Sequence, residues 1–136
     1  MKADGWVWTT PLVVNDRLYF GDLQGSVFAV DAATGDVQWK VQPVQESGSV
    51  RANIVLTGEG TLIVAVDDIT NGTVVALNIA DGSEKWRQVL DPQNADRMLS
   101  NPVVMGDTVL IVPLNADQLV YALNVGAGDT SWTFKP

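Results

Sequence analysis

The chain of 136 residues carries a formal net charge of −8, 46% hydrophobic and 18% charged residues, and neither cysteine nor histidine. Its length suffices for one domain with its own core, and its apolar content is that of a folded β-rich protein rather than a disordered one. The acidic excess disfavours nucleic acid and anionic membrane surfaces as partners, and the missing side chains remove disulfides, iron–sulfur clusters, thiol catalysis, the usual zinc sites and Ser-His-Asp chemistry.

No apolar run approaches the roughly 20 residues that a membrane-spanning helix needs. The start, Met1 to Trp6, lacks the apolar stretch of a signal peptide. That leaves a cytoplasmic chain, or an exported one whose leader and further sequence have been removed.

Short apolar runs follow one another with little helical periodicity, among them Leu12–Val14, Leu18–Phe20 and Val27–Val30. Their β-branched and aromatic content predicts strands of about four to six residues. In the first third these are Pro11–Val14, Arg17–Phe20, Ser26–Val30 and Val37–Lys40, with turns at Asn15-Asp16, Asp22–Gly25 and Asp31–Asp36. The series then repeats. Trp39, Trp86 and Trp132 recur with a period of about 46 residues. A glycine stands four residues before each (Gly35, Gly82, Gly128) and an alanine ten before each (Ala29, Ala76, Ala122). Gly25 and Gly72 correspond as well, with Gln118 in the third place, and Pro11, Asn53 and Pro102 align at the heads of the units.

Three units of four strands at this period predict an all-β fold of β-propeller blades: three four-stranded antiparallel sheets in a single segment over 1–136, with blades at about 9–41, 51–88 and 100–135. The turn glycines follow from backbone sterics, since positive φ costs a residue with a Cβ about 1–2 kcal/mol. Alanine in each third strand predicts a crowded face where one sheet packs on the next. Three blades do not close a ring. The expectation is an open partial propeller, completed by further blades of a longer chain or by self-association, a dimer first.

The runs Gly25–Trp39 and Arg17–Asp22 resemble the PQQ-like (pyrroloquinoline-quinone-type) propeller repeat. The first unit is close to it. The second departs in its longer hairpin Asp67–Gly72, and the third in Gln118 and in Asn124-Val-Gly-Ala at the turn. The resemblance implies that Trp39, Trp86 and Trp132, with Gly35, Gly82 and Gly128, dock blade on blade, and that the protein is extracytoplasmic (periplasm or cell surface). A quinone-dependent dehydrogenase of this kind requires a closed eight-bladed ring, calcium held by acidic and amide side chains, and a catalytic Asp. No such constellation is legible here. The resemblance therefore implies a non-enzymatic scaffold without cofactor or metal, binding a protein or peptide partner, similar to the propeller lipoproteins of outer-membrane assembly. The alternatives are a fragment of a quinone-dependent dehydrogenase or other ligand-binding propeller, and a structural piece of an extracellular assembly.

The variable chemistry lies before each first strand, where Trp8-Thr-Thr10, Val50-Arg-Ala52 and Leu99-Ser-Asn101 align. The first strand of a propeller blade is innermost. Trp6, Trp8, Thr9, Arg51, Asn53, Arg97, Ser100 and Asn101 are therefore candidates for a channel-face contact with an anionic or peptide ligand. The competing expectation is that the tryptophans pack against the preceding blade and the arginines offset local acidity. Asp67–Gly72 has the Asp, Asn and Gly of an oxygen-ligand loop, but Ile69 stands where a calcium loop needs an oxygen, so it reads as a hairpin loop. Asn71-Gly-Thr73 matches a glycosylation sequon.

Overall fold

The computed structural model describes residues 5–44, 48–68, 71–90, 97–114 and 118–136. They form twelve strands: β1 (Leu12–Val14), β2 (Arg17–Gly21), β3 (Val27–Asp31), β4 (Val37–Val41), β5 (Val55–Leu56), β6 (Thr61–Asp67), β7 (Gly72–Asn78), β8 (Glu84–Leu90), β9 (Val103–Met105), β10 (Thr108–Ile111), β11 (Val120–Asn124) and β12 (Thr130–Phe134). The sheets are three antiparallel meanders, β1-β2-β3-β4, β5-β6-β7-β8 and β9-β10-β11-β12. Each is a propeller blade. The bounds shift slightly from the sequence expectation. Pro11, which has no N–H for a ladder, stands outside β1, and β3 runs on to Asp31.

The first hairpin of each blade sets the register of everything before it. Blade one turns through Asn15 and Asp16, both at positive φ, the pairing that a two-residue type I′ hairpin requires. Blade three turns through Gly106 and Asp107. Blade two uses one residue more: Thr57 N–H donates to the Thr61 carbonyl, and Gly60 takes the positive φ. Strand pairing therefore makes Leu12, Val55 and Val103 equivalent, because they oppose Tyr19, Ile63 and Leu110. It follows that Thr10, Asn53 and Asn101 match, as do Trp8, Arg51 and Leu99. The alignment of Asn53 with Pro11 and Pro102 is thus corrected by one residue: Ile54 holds that place.

The second feature common to the blades is a bulge. The register shifts between Ala29 and Val30, between Ala76 and Leu77, and between Ala122 and Leu123, which leaves one extra residue just before each Trp. A bulge sharpens the local twist and re-aims the neighbouring side chain. The indole comes to lie opposite the alanine, whose small side chain leaves room for it. Between these strands runs one turn, made three times. Gly35, Gly82 and Gly128 donate their N–H to the carbonyls of Asp31, Asn78 and Asn124. The side-chain oxygen of the same Asp or Asn takes N–H groups inside the turn. Asn124 does the work of Asp31, so the divergent third sequence keeps the turn.

Blade packs on blade through apolar faces. Tyr19, Val27 and Ala29 meet Leu62, Val64, Val75 and Leu77, with Leu12, Val14, Trp39 and Val41 around them. On the far side of blade two, Ile63, Val74, Ala76 and Trp86 meet Val109, Ile111, Tyr121 and Leu123. Because alternate residues of β6 and β7 face opposite ways, both faces of blade two are filled, and all the residues of β6 are buried. Trp39 Nε1–H donates to the Ile79 carbonyl at 3.1 Å, and Trp86 Nε1–H to the Val125 carbonyl at 2.7 Å. The ring sits where a side chain on the next turn would be. A Cβ on Gly82 would stand 2.6 Å from Trp39 Cε3, and one on Gly128 closer still to Trp86.

Candidate binding face at the inner strand ends

The segments that enter the blades bend away from their sheets before the first strand and are held by single bridges further back. Ser49 pairs with Asp67, and Arg97 with Leu114. The Leu23 N–H reaches the Trp6 carbonyl in the corresponding place. This brings Trp8, Arg51 and Leu99 to one edge of the molecule, with Arg97 beside them, around a cavity of about 240 Å³ that these four line among the described residues.

Asp67, at the end of β6, is the electrostatic centre of this edge. Arg97 Nε–H donates to its Oδ1 and Oδ2 at 3.2 and 3.0 Å. Arg51 Nε lies 3.2 Å from Oδ2, as an ion pair rather than a well-aligned hydrogen bond. The carboxylate is buried and the arginines are partly exposed. Arg51 also lies over the Trp8 ring, 5.7 Å from its centroid. Trp8 keeps 68% of its surface exposed among the described residues, and the two arginines offset the charge of Asp67, as the competing expectation from the sequence has it.

The remaining candidates do other things. Asn53 Oδ1 accepts the Thr10 N–H at 2.9 Å, and Asn101 Oδ1 accepts the Asn53 N–H at 2.7 Å. These amides tie each blade to the one before it, and both side-chain oxygens are occupied by backbone. Trp6 is 83% exposed and is absent from the cavity lining. Thr9 is buried, while Ser100 is exposed and also lies outside the lining. Asp67 was read in the sequence as a loop residue, and its role as a shared counter-ion was missed. The available signal was the Asp67-Asp68 pair closing an otherwise apolar strand, Leu62 to Val66. Ile69 and Thr70 of the suspected oxygen-ligand loop lie outside the described residues. Among the described residues, no three Asp, Glu, His or Cys side chains come together as a cation site.

The other candidates are the docking residues. Trp39 and Trp86 lie in the two joints described above. Trp132 does not: it is 49% exposed, with no blade over its face among the described residues. Gly35, at the opposite end, has nothing within 4 Å of where a Cβ would stand. Each is one half of such a joint, at either end of the described blades.

A family profile described as outer membrane protein assembly factor BamB matches residues 1–133. The chain belongs to this PQQ-like propeller family. It is 33% identical over 103 residues to the BamB of Escherichia coli, a match that covers 76% of this chain and 23% of that protein. It is also 28% identical over 114 residues to a polyvinylalcohol dehydrogenase of a Pseudomonas species, covering 82% of this chain and 18% of the relative. The crystal structure of BamB from Moraxella catarrhalis superposes with a TM-score of 0.74 at 25% identity, over 99% of this chain and 39% of that one. The chain spans about a fifth of the length of these curated relatives.

Proposed function

We propose that this chain is a segment of a non-enzymatic propeller scaffold that binds other proteins outside the cytoplasm, similar to the outer membrane assembly factors of its family. The observation that carries this reading is the half-made joint. Trp132, Phe134, Val103 and Met105 are each about half exposed. Trp39, Val41, Leu12 and Val14, at the same places in blade one, pack against blade two. An apolar face shaped to seat another sheet takes a further blade, from the same chain or from another protein. A second copy of the chain presents the complementary Gly35 turn, and self-association, as a dimer first, is the simplest way to use it. Sedimentation at micromolar concentration tests this. A dimer that Trp132→Ser reduces to a folded monomer supports the reading, and a folded wild-type monomer counts against self-association.

The polyvinylalcohol dehydrogenase relatives favour a second reading, a segment of a quinone-dependent enzyme. Calcium there calls for converging acidic oxygens, which the described residues do not supply. A thermal shift with calcium plus pyrroloquinoline quinone separates the two, since stabilisation by several degrees favours the enzyme.

A further inference from the structure

We propose that the cleft between Trp8, Arg51 and Arg97 is a carboxylate-binding subsite, taking an acidic side chain or the C-terminal carboxylate of a partner peptide. The proposal rests on the binding-scaffold reading and names the chemistry that a partner brings to its channel face.

Charge makes the first argument. The chain holds only 8 basic residues against 16 acidic ones, yet two arginines from different blades meet at this cleft. One buried carboxylate, Asp67, faces both of them. Among the described residues in contact with the two guanidinium groups, Asp67 is the carboxylate that both meet, so the pair of arginines is not matched charge for charge by its contacts there, which favours an anion.

Geometry makes the second. Asp67 accepts the Nε–H of Arg97 and forms an ion pair with the Nε of Arg51. Among the described residues, their terminal Nη groups have no hydrogen-bond partner. A guanidinium fixed by one edge keeps its other donors in a rigid fork matched to a carboxylate, and less side-chain freedom is lost when a ligand arrives. The contact with Trp8 restrains Arg51 further. Trp8 and Leu99 supply apolar walls for the stem of the incoming side chain.

Size makes the third. The cavity measures about 240 Å³, below the roughly 300–1,000 Å³ of pockets that enclose a drug-sized ligand or cofactor. It suits one amino-acid side chain or a chain end, and is small for a tricyclic quinone.

The test is an NMR titration of the full chain with three probes: acetyl-Gly-Glu-Gly-amide, its Gln counterpart, and acetyl-Gly-Gly-Gly with a free C-terminus. The expected result is saturable shifts of the Trp8 indole and of the Arg51 and Arg97 Nε–H signals with the Glu peptide, the free-carboxylate peptide or both. The Gln peptide should bind at least about tenfold more weakly. Which carboxylate peptide binds tells side chain from chain end as the natural source. Arg51→Gln and Trp8→Ala should each weaken binding, and Arg51→Lys, which keeps the charge and loses the fork, should fall between Arg51→Gln and wild type. The spectrum of the β6–β7 core certifies that each variant is folded. Equal binding of the Gln and Glu peptides, unchanged affinity in folded Arg51→Gln, or no saturable shift at millimolar peptide would overturn the proposal. The sedimentation result is independent of all three outcomes, so a chain that self-associates but binds no carboxylate loses this site and keeps its scaffold role.

Discussion

Trp86 and Trp132 stand at the same place in adjacent blades, yet one is 8% exposed and the other 49%. The difference is the neighbour, not the residue. Trp86→Ala removes a ring packed on Gly128 and an indole hydrogen bond to Val125, and should cost about 3–5 kcal/mol in urea unfolding. Trp132→Ala in the monomer should cost about 1 kcal/mol or less, since little of its surface is buried. Equal losses at the two sites would mean that Trp132 is packed in solution. The turn carboxylates make a separate prediction. Asp31 is held below its ordinary pKa by the N–H groups of Thr34 and Ala33, and Asp81 by the hydroxyl and N–H of Ser83. A carboxylate with a lowered folded-state pKa stabilises the fold above its unfolded value of 3.8, and that contribution disappears as the pH falls through the lower folded value. Asp31→Asn with Asp81→Asn should therefore flatten the stability profile below pH 3.8, measured by urea unfolding at successive pH values, and lower the stability at neutral pH, where the two carboxylates of the wild type contribute in full.

At the scale of elements, the middle blade is sheltered, and among the described residues each outer blade has a neighbour on one side only. β6 and β7 pair with strands on both edges and are covered on both faces, whereas β12 is exposed along its whole length. Amide hydrogen exchange should be slowest at Ile63 to Val66 and Val74 to Leu77, and fastest among the paired strands at β12. Uniform protection across the three blades would show that another blade covers β12. The amide ladder from Asn101 through Asn53 to Thr10 joins the inner ends. It was not legible as a ladder in the sequence, because the extra residue in the Thr57–Thr61 turn displaces Asn53 by one place from its apparent partners. Counting residues back from the apolar runs finds the wrong equivalent when a turn between them changes length. Counting along the strand pairs does not.

At the scale of the molecule, the arc ends in Trp132 on one side and the Gly35 turn on the other, and each interior joint unites those two features. The proposed self-association would unite them in a third joint of the same kind, and mass action then predicts that the melting temperature rises with protein concentration, and that Trp132→Ser removes the dependence. A melting temperature independent of concentration in the wild type would oppose association through this face.

The sequence by itself determined the repeat, the four-stranded blade and the turn with its glycine, because these depend on local sterics and on alternation along a strand, which every unit carries in its own residues. Trp39, Gly82 and Ala76 could be placed without coordinates for that reason. Only the tertiary structure decided which tryptophan docks and which waits, because Trp39, Trp86 and Trp132 look alike until their neighbours are placed. It also decided that Asn53 and Asn101 tie blades together, and that Asp67, read as a loop residue, gathers Arg51 and Arg97 beside Trp8. These roles come from residues far apart in the chain, and no local pattern encodes a meeting between the end of one strand and the approach to another blade.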